Sequence, residues 1–330
     1  RRCIGAGSSR RSPREVSQVR RQTATTTSPL ARANKTPGDT LNLPSHRHLK
    51  QPGPPAVQRI ESIVGDALSL TFALAGGQSL RDAILGPLEA AGMAAATVRI
   101  EGLRVHSMRY VRPAASPDDE HVAFYSEQHC IDEPVTIELA CATVGRRDGG
   151  PFIHCHAMWR AADGRWQGGH IFSDQVIVAQ DTEARAWGIA NAEMRADFDA
   201  ETNFTLFRPV PIEATHEPVP ASTGRRCVVA RIRPNEDLVQ SIEQVCHEHG
   251  LRAATIRGSV GSIVGARFEN AAPVDDIATE IFVLDGVVAE AANGPRATLD
   301  IALIDPRGNI HQGRVVRGDN QVLICFKLFL

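Results

Sequence analysis

Three histidines between residues 152 and 172 are the side chains of this sequence best placed to do chemistry. His154 and His156 are two positions apart, so on a β-strand their side chains point to the same face. His170 follows after the turn-forming dipeptide Asp163-Gly164. This spacing predicts a β-hairpin whose second strand carries the third imidazole.

The length of the hairpin loop decides where His170 points. A two-residue Asp163-Gly164 turn would set Ala157 opposite His170 and aim the third ring at the wrong face. A three-residue loop from Ala162 to Gly164, with the glycine in the left-handed conformation, sets His156 opposite His170 instead. The three-residue loop is the one we predict.

With that loop, the three imidazoles converge as in an open zinc site, where water or a ligand takes the fourth position. We predict Zn²⁺ bound by His154, His156 and His170. The alternative interpretation is three half-buried sheet histidines that hydrogen-bond to their neighbours. Cys155 points to the opposite face and is expected to be a core thiol. Two glycines at 168–169 are expected to let the backbone pass close to the metal.

Composition and length limit the class of protein. A chain of 330 residues predicts about two domains. The net charge of -2 and pI of about 6.7 give no general attraction to nucleic acid or membrane. No apolar run reaches the length of about 18 residues that a spanning helix needs. Without a recognisable signal peptide we predict a cytoplasmic protein, with organellar import through the basic N-terminal segment as the alternative.

Residues 1–56 differ from the rest of the chain. They hold eleven Lys/Arg and only two acids, with many Ser, Thr and Pro residues. Such a composition cannot build a core, so we predict a disordered basic tail. A transit peptide, an over-extended translation and a tail that helps to hold nucleic acid remain open interpretations.

A regular pattern begins at about residue 57. After a predicted strand at 68–75, Ser79 is a predicted helix N-cap, apolar residues follow at helical spacing, and Gly92 ends the helix. Further strands are predicted before the histidine hairpin, including 96–100 and 104–110. Residues 210–224 form a proline-rich predicted linker. The strand–helix pattern then returns, with a strand at 227–232 and a helix at 236–249.

The second pattern repeats the first. A shift of 158 residues places Leu80 on Leu238 and Gly92 on Gly250. In the hairpins the shift is 144, and Gly164 then aligns with Gly308. Similarity over two regions indicates duplication of one unit.

The second copy carries different residues at the positions of the histidines. Its turn, Asp305-Pro306-Arg307-Gly308, favours the same three-residue loop. The same register sets Asp300 opposite Arg314, where the first copy has His156 and His170. We expect a surface ion pair with a structural role, and no zinc site in this copy.

These motifs resemble the plants-and-prokaryotes-conserved domain, present twice. The resemblance rests on the strand–helix opening, on Arg-Gly-Ser-Val-Gly-Ser at 257–262 and on His-x-His…Asp-Gly-x-x-x-Gly-Gly-His at 154–170. The first copy departs from the glycine motif with Ile-Glu-Gly-Leu at 100–103. The resemblance implies a compact α+β fold on a mainly antiparallel sheet, a trimeric tendency and, as in the prokaryotic branch, a metal on the three histidines.

We therefore predict an α+β protein made of two tandem copies of a mainly antiparallel β-sheet domain with packed helices. The first copy, at 57–209, holds the histidine site, and the second, at 225–330, is a degenerate copy without it.

Three functions remain open at this stage. The first is a metal site for a small-molecule or anionic ligand, used for sensing, binding or catalysis. A catalytic role would need a base; Glu127, His129 and Glu138 are candidates that spacing cannot place, so the catalytic residues stay unknown. The second is a DNA-binding regulator, which the plant relatives suggest, although neither repeat has a basic face and no Arg-Gly-Arg-Pro AT-hook core is present. The third is a structural oligomerisation module, such as a homotrimer.

Overall fold

The computed structural model describes residues 47–213, here called the N-terminal half, and residues 222–330, the C-terminal half. Most of both halves is β-sheet. The N-terminal half contains β1 (Ile60–Leu74), β2 (Ala95–Val111), β3 (Pro113–Ala114), β4 (Phe124–Tyr125), β5 (His129–Ile131), β6 (Val135–Arg147), β7 (Gly150–Arg160), β8 (Trp166–Ile171), β9 (Ile177–Val178), β10 (Thr182–Ile189), β11 (Ala192–Phe198) and β12 (Thr205–Pro211). The C-terminal half contains β13 (Ser222–Ile232), β14 (Ala254–Thr255), β15 (Val260–Ala266), β16 (Val274–Ala291), β17 (Gly294–Ile304), β18 (Ile310–Arg314) and β19 (Val322–Phe329).

Two α-helices, one in each half, accompany these strands in the described residues: α1 (Leu80–Ala90) and α2 (Leu238–Glu248). The hydroxyl of Ser79 accepts a hydrogen bond from the backbone N–H of Asp82, which confirms the predicted N-cap of α1. Asp237 caps α2 in the same way through the N–H of Gln240. The two short helices make the described chain a mainly antiparallel β protein, so the predicted α+β class with packed helices overstated the helical content.

The two halves share one hydrogen-bonded sheet network. The first part of β1 pairs antiparallel with β13, in a register that sets Ile60 opposite Ile232. The second part of β1 pairs with β10, with Leu68 opposite Gly188. A long first strand therefore ties the halves together. The pairing of β6 with β11 is parallel.

Each half has its own buried core, and a further apolar cluster lies between them. The separate cores pack α1 and α2 against the sheet through Leu80 and Leu238 respectively. The cluster between the halves packs β6 and β7 against β15, β16 and β17; its buried members are Leu139, Cys141, Met158, Val260, Phe282, Ala302 and Ile304. Apolar burial of this kind fixes the position of one half against the other.

Several predicted boundaries shift in the structure. The strands predicted at 96–100 and 104–110 are one continuous strand, β2. Residues 1–46 of the predicted disordered tail lie outside the described residues, as do residues 214–221 of the predicted linker. Residues 47–56, which we assigned to the tail, instead pack on both halves. The amide of Gln51 donates to the carbonyl of Leu323 at 2.9 Å, and the N–H of Gly53 donates to the carbonyl of Glu201 at 3.0 Å. No helix within 47–213 or 222–330 is long and apolar enough to cross a membrane.

Candidate metal centre

The histidine hairpin has the predicted register. The N–H of Ala161 donates to the carbonyl of Arg165 at 2.9 Å, and Gly164 is in the left-handed region with φ of 80°. These features define the three-residue loop, and β7 pairs with β8 so that His156 faces His170. Cys155 is fully buried in the core of the N-terminal half, as predicted.

The second hairpin has the same register, which sets Asp300 opposite Arg314. Their side chains form the predicted ion pair, with an N–O distance of 3.0 Å. Because both side chains are partly exposed, solvent screens the pair, which therefore contributes little to stability.

The three histidines meet a carboxylate that the sequence did not predict. One ligand atom each from His154, His156, His170 and Glu280 lies within 4.8 Å of the others. Glu280 belongs to β16, so the cluster takes three side chains from the N-terminal half and one from the C-terminal half. The site therefore lies where the two halves meet, and is not contained in the first copy alone.

The hydrogen bonds of His156 fix the form of its ring. Its Nδ1 lies 2.9 Å from the carbonyl oxygen of Ile281, so this nitrogen carries the proton and donates. In the neutral ring, Nε2 then has only a lone pair to present. That nitrogen is 2.9 Å from Nε2 of His154 and 3.1 Å from Oε1 of Glu280. A lone pair beside a carboxylate oxygen is repulsive unless a cation, either a proton or a metal ion, lies between them.

Glu280 reaches the cluster because successive side chains of β16 point to opposite faces of the sheet. It lies two residues before Phe282, so both side chains point to the N-terminal half, where Phe282 packs between the halves. Oε2 of Glu280 is buried and has no hydrogen-bond partner. Although burial raises its pKa, the facing His156 and His170 leave the pKa of Glu280 below its usual value. A buried carboxylate with an unsatisfied oxygen is costly unless a cation or a donor completes its environment.

The other two histidines are held in the neutral form that binds metals. Burial is the main cause that lowers the pKa of His154 well below its usual value, and the neighbouring Lys327 adds to the effect. Burial also lowers the pKa of His170 to about 4. Imidazole lone pairs are therefore available at neutral pH, as metal binding requires.

Two further polar groups flank the cluster. Nζ of Lys327 lies 3.4 Å from Nε2 of His154, and the hydroxyl of Tyr125 lies 3.5 Å from Nδ1 of His170. Lys327 is a buried residue of β19 in the C-terminal half. Burial and the carboxylate of Glu280 raise the pKa of Tyr125 well above its usual value, so Tyr125 stays a phenol.

The ligand atoms of the cluster are of the types that zinc binds, and the distances between them are close to those of a zinc site. Zinc binds imidazole nitrogen and carboxylate oxygen at about 2.0–2.2 Å, which places ligand atoms about 3.3 Å apart in a tetrahedron. In this cluster the Nε2 atoms of His154 and His156 are 2.9 Å apart, and no two of the four ligand atoms are more than 4.8 Å apart. Side-chain movements below about 2 Å would bring the three imidazole nitrogens to such a distance, with Glu280 beside the ion.

The cluster opens into a cavity of about 620 Å³, a size suited to a small organic ligand. Its wall includes all four cluster residues together with Tyr125 and Lys327. Glu127, His129 and Glu138, the predicted base candidates, are not among the residues that line it. Glu280 is the acid that the structure places at the site instead.

The glycines at 168–169 serve the packing of β8. A Cβ on Gly168 would lie 2.5 Å from Cδ1 of Ile310 in the C-terminal half, and a Cβ on Gly169 would lie 2.7 Å from the ring of Tyr110. The N–H of Gly168 also donates to the carbonyl of Gly308 at 2.8 Å. These glycines therefore let β8 approach its neighbours, and a close approach of this backbone to the metal stays a prediction.

Comparison with known proteins identifies the domain. Residues 220–330 match the sequence model of the Plants and Prokaryotes Conserved (PCC) domain. This matched segment holds Glu280 and Lys327 but none of the three histidines. Comparison with curated proteins gives no match.

Several solved structures have similar folds over part of the chain. A metal-containing protein from Archaeoglobus fulgidus is 24% identical, with a TM-score of 0.37, and the alignment covers 46% of this chain and 99% of that one. A plant- and prokaryote-conserved protein from Pyrococcus horikoshii is 15% identical, with a TM-score of 0.34, over 46% and 97% of the two chains. A protein from Ralstonia eutropha, described as a candidate DNA-binding protein, is 12% identical, with a TM-score of 0.31, over 42% and 88%.

Proposed function

We propose that this chain is a metal-binding protein in which His154, His156 and His170 hold a zinc ion and leave one position open to a small-molecule ligand. The observation that carries the proposal is the placement of Nε2 of His156. With its other nitrogen donating to the carbonyl of Ile281, this atom faces both a second imidazole nitrogen and the Glu280 carboxylate. A divalent cation converts that repulsive arrangement into a stable one.

The side chains of the cluster have separate roles in this proposal. The three imidazoles are the ligands, and the backbone carbonyl of Ile281 orients His156, as outer partners of metal ligands commonly do. Glu280 balances the charge of the ion and can accept a proton through its unpaired Oε2. When bound, the metal would polarise a ligand oxygen or lower the pKa of a bound water toward about 7.

The ligand that we propose for the open position is an anion or a carbonyl compound. Lys327 and Tyr125 flank the cluster with an amine and a phenol, both donors of hydrogen bonds. Metal coordination of His154 would occupy the nitrogen that Lys327 now contacts, which frees Lys327 to bind a ligand atom. Lys327 is buried and Tyr125 is half-buried, and charge-assisted hydrogen bonds are strong away from bulk water.

We also propose that the described chain consists of two PCC-like copies, the second of which completes the site of the first. Each half begins with a strand followed by a capped helix of eleven residues. Each also has a hairpin with the same three-residue loop, which ends in a left-handed glycine, Gly164 or Gly308. These parallels support duplication. The homo-oligomer with a trimeric tendency stays a prediction.

Cobalt substitution tests the metal site and its open position together. We expect metal-free protein to develop visible absorption when Co²⁺ is added, because a distorted tetrahedral site allows such bands. Addition of azide should then change the spectrum as the anion enters the open position. Absence of the bands would contradict the site, and bands that ignore azide would show a closed, purely structural centre.

A further inference from the structure

We propose that the cavity beside the metal centre binds an organic anion with two acidic or oxygen-donor ends, one at the metal and the other, a carboxylate, at Arg81. This inference rests on the proposed metal site and adds the chemical class of its ligand. It follows from the charges, the apolar walls and the size of the cavity.

Arg81 lies on the cavity wall and is a cation that has no partner among the described residues. It lies in the first turn of α1, is half-buried and lines the same cavity as the four cluster residues. Its Nε is buried without an acceptor, and its guanidinium takes part in none of the hydrogen bonds or ion pairs of the described chain. Asp174 also lines the cavity but is not within ion-pair distance of it. A partly buried guanidinium without an acceptor is well suited to bind a carboxylate with two parallel hydrogen bonds.

A continuous wall leads from the metal centre to Arg81. The ring of His170 lies 5.9 Å from the ring of Phe172, which directly precedes a short 3₁₀ turn, Ser173–Gln175. That turn packs against α1, the helix that carries Arg81. The metal ligands and the guanidinium therefore line one recess.

Aromatic side chains also line the recess. The rings of Phe124 and Phe204 lie 5.9 Å apart and nearly parallel, and His121 contacts both. Phe124 is 39% exposed although it lines the cavity. An exposed aromatic beside a recess of about 620 Å³ favours a ligand with an apolar body between its two polar ends.

Calorimetric titration of the zinc-loaded full chain tests the inference. The probes are phenylsuccinate and the straight-chain dicarboxylates from malonate to adipate, which span a range of separations between the two acids. The variants are Arg81→Gln and, as a matched control, Arg185→Gln. Arg185 is an exposed arginine of β10 that pairs with Glu183 and does not line the cavity. The zinc content and urea unfolding of every sample are measured alongside.

We expect at least one dicarboxylate to bind the wild type and Arg185→Gln equally, and Arg81→Gln at least about tenfold more weakly with unchanged zinc content. Equal affinity of the wild type and Arg81→Gln would overturn the inference, and so would a failure of every probe to bind zinc-loaded protein. Absence of zinc from all three folded proteins would instead overturn the metal site, and this inference with it.

Discussion

Oε1 of Glu280 lies 3.1 Å from Nε2 of His156, and these two residues come from different halves of the chain. Both are buried, with 5% and 1% of their surfaces exposed. The contact makes the metal centre dependent on the packing between the halves, because the histidine hairpin brings no carboxylate to the cluster.

Replacement of Glu280 by glutamine should weaken metal binding without removing the ligands. The amide keeps the shape of the side chain but loses the negative charge that balances the ion, and changes to such partners typically cost about 10–100-fold in metal affinity. Competition with a chelator measures the change. Glu138→Gln is the control, because Glu138 is exposed on β6 and should leave the affinity unchanged. Equal affinities of the two variants would contradict the role of Glu280.

The stability of the metal-free protein should rise with pH between about 4 and 6.5. The folded protein takes up a proton at His170 only near pH 4, whereas the unfolded chain does so near the ordinary value of 6.5. The unfolded state therefore binds more protons in this window, and the free energy of unfolding falls as the pH falls. The lowered pKa of His154 acts in the same direction.

Urea unfolding of chelator-treated protein at a series of pH values measures this dependence. His170→Gln should show a shallower slope in the window from about 4 to 6.5 because one of the two histidines no longer titrates. An identical slope for the wild type and the variant would contradict a neutral, buried His170.

Gly168→Ala should destabilise the protein by about 1–3 kcal/mol, because the new methyl group would overlap Ile304 and Ile310 of the C-terminal half. Gly86→Ala, in α1, is the control. Nothing lies within 4 Å of its added Cβ, and alanine favours the helix by about 1 kcal/mol. Urea denaturation compares the two variants. Similar effects would show that β8 does not pack as closely on the C-terminal half as described.

The sequence was sufficient to predict the register of the histidine hairpin, because the turn residues of the hairpin determine that register locally. Asp163-Gly164 and the proline-containing turn before Gly308 both select a three-residue loop, and this loop aligns His156 with His170. The helix cap at Ser79 is equally local. Such features depend on neighbours along the chain, so a single sequence reveals them.

The fourth cluster residue could not be placed from the sequence, because its position depends on how the halves pack. A signal was nevertheless present. Glu280 is followed at once by the apolar run Ile-Phe-Val-Leu, and Lys327 is the one charged residue of β19. A charged residue in a strand that must be buried needs a partner, and each of these two indicates a polar site inside the protein. The base candidates Glu127, His129 and Glu138 were chosen for nearness in sequence and lie away from the cavity.

Elemental analysis of the purified full chain tests the central claim most directly. The comparison is between the wild type, the double variant His156→Ala/His170→Ala and the matched double variant Asp300→Ala/Arg314→Ala at the equivalent register of the second hairpin. We predict about one zinc ion per chain in the wild type and in the second-hairpin variant, and none in the histidine variant. Equal metal content in the wild type and the histidine variant would contradict the metal centre and leave three buried sheet histidines with a structural role.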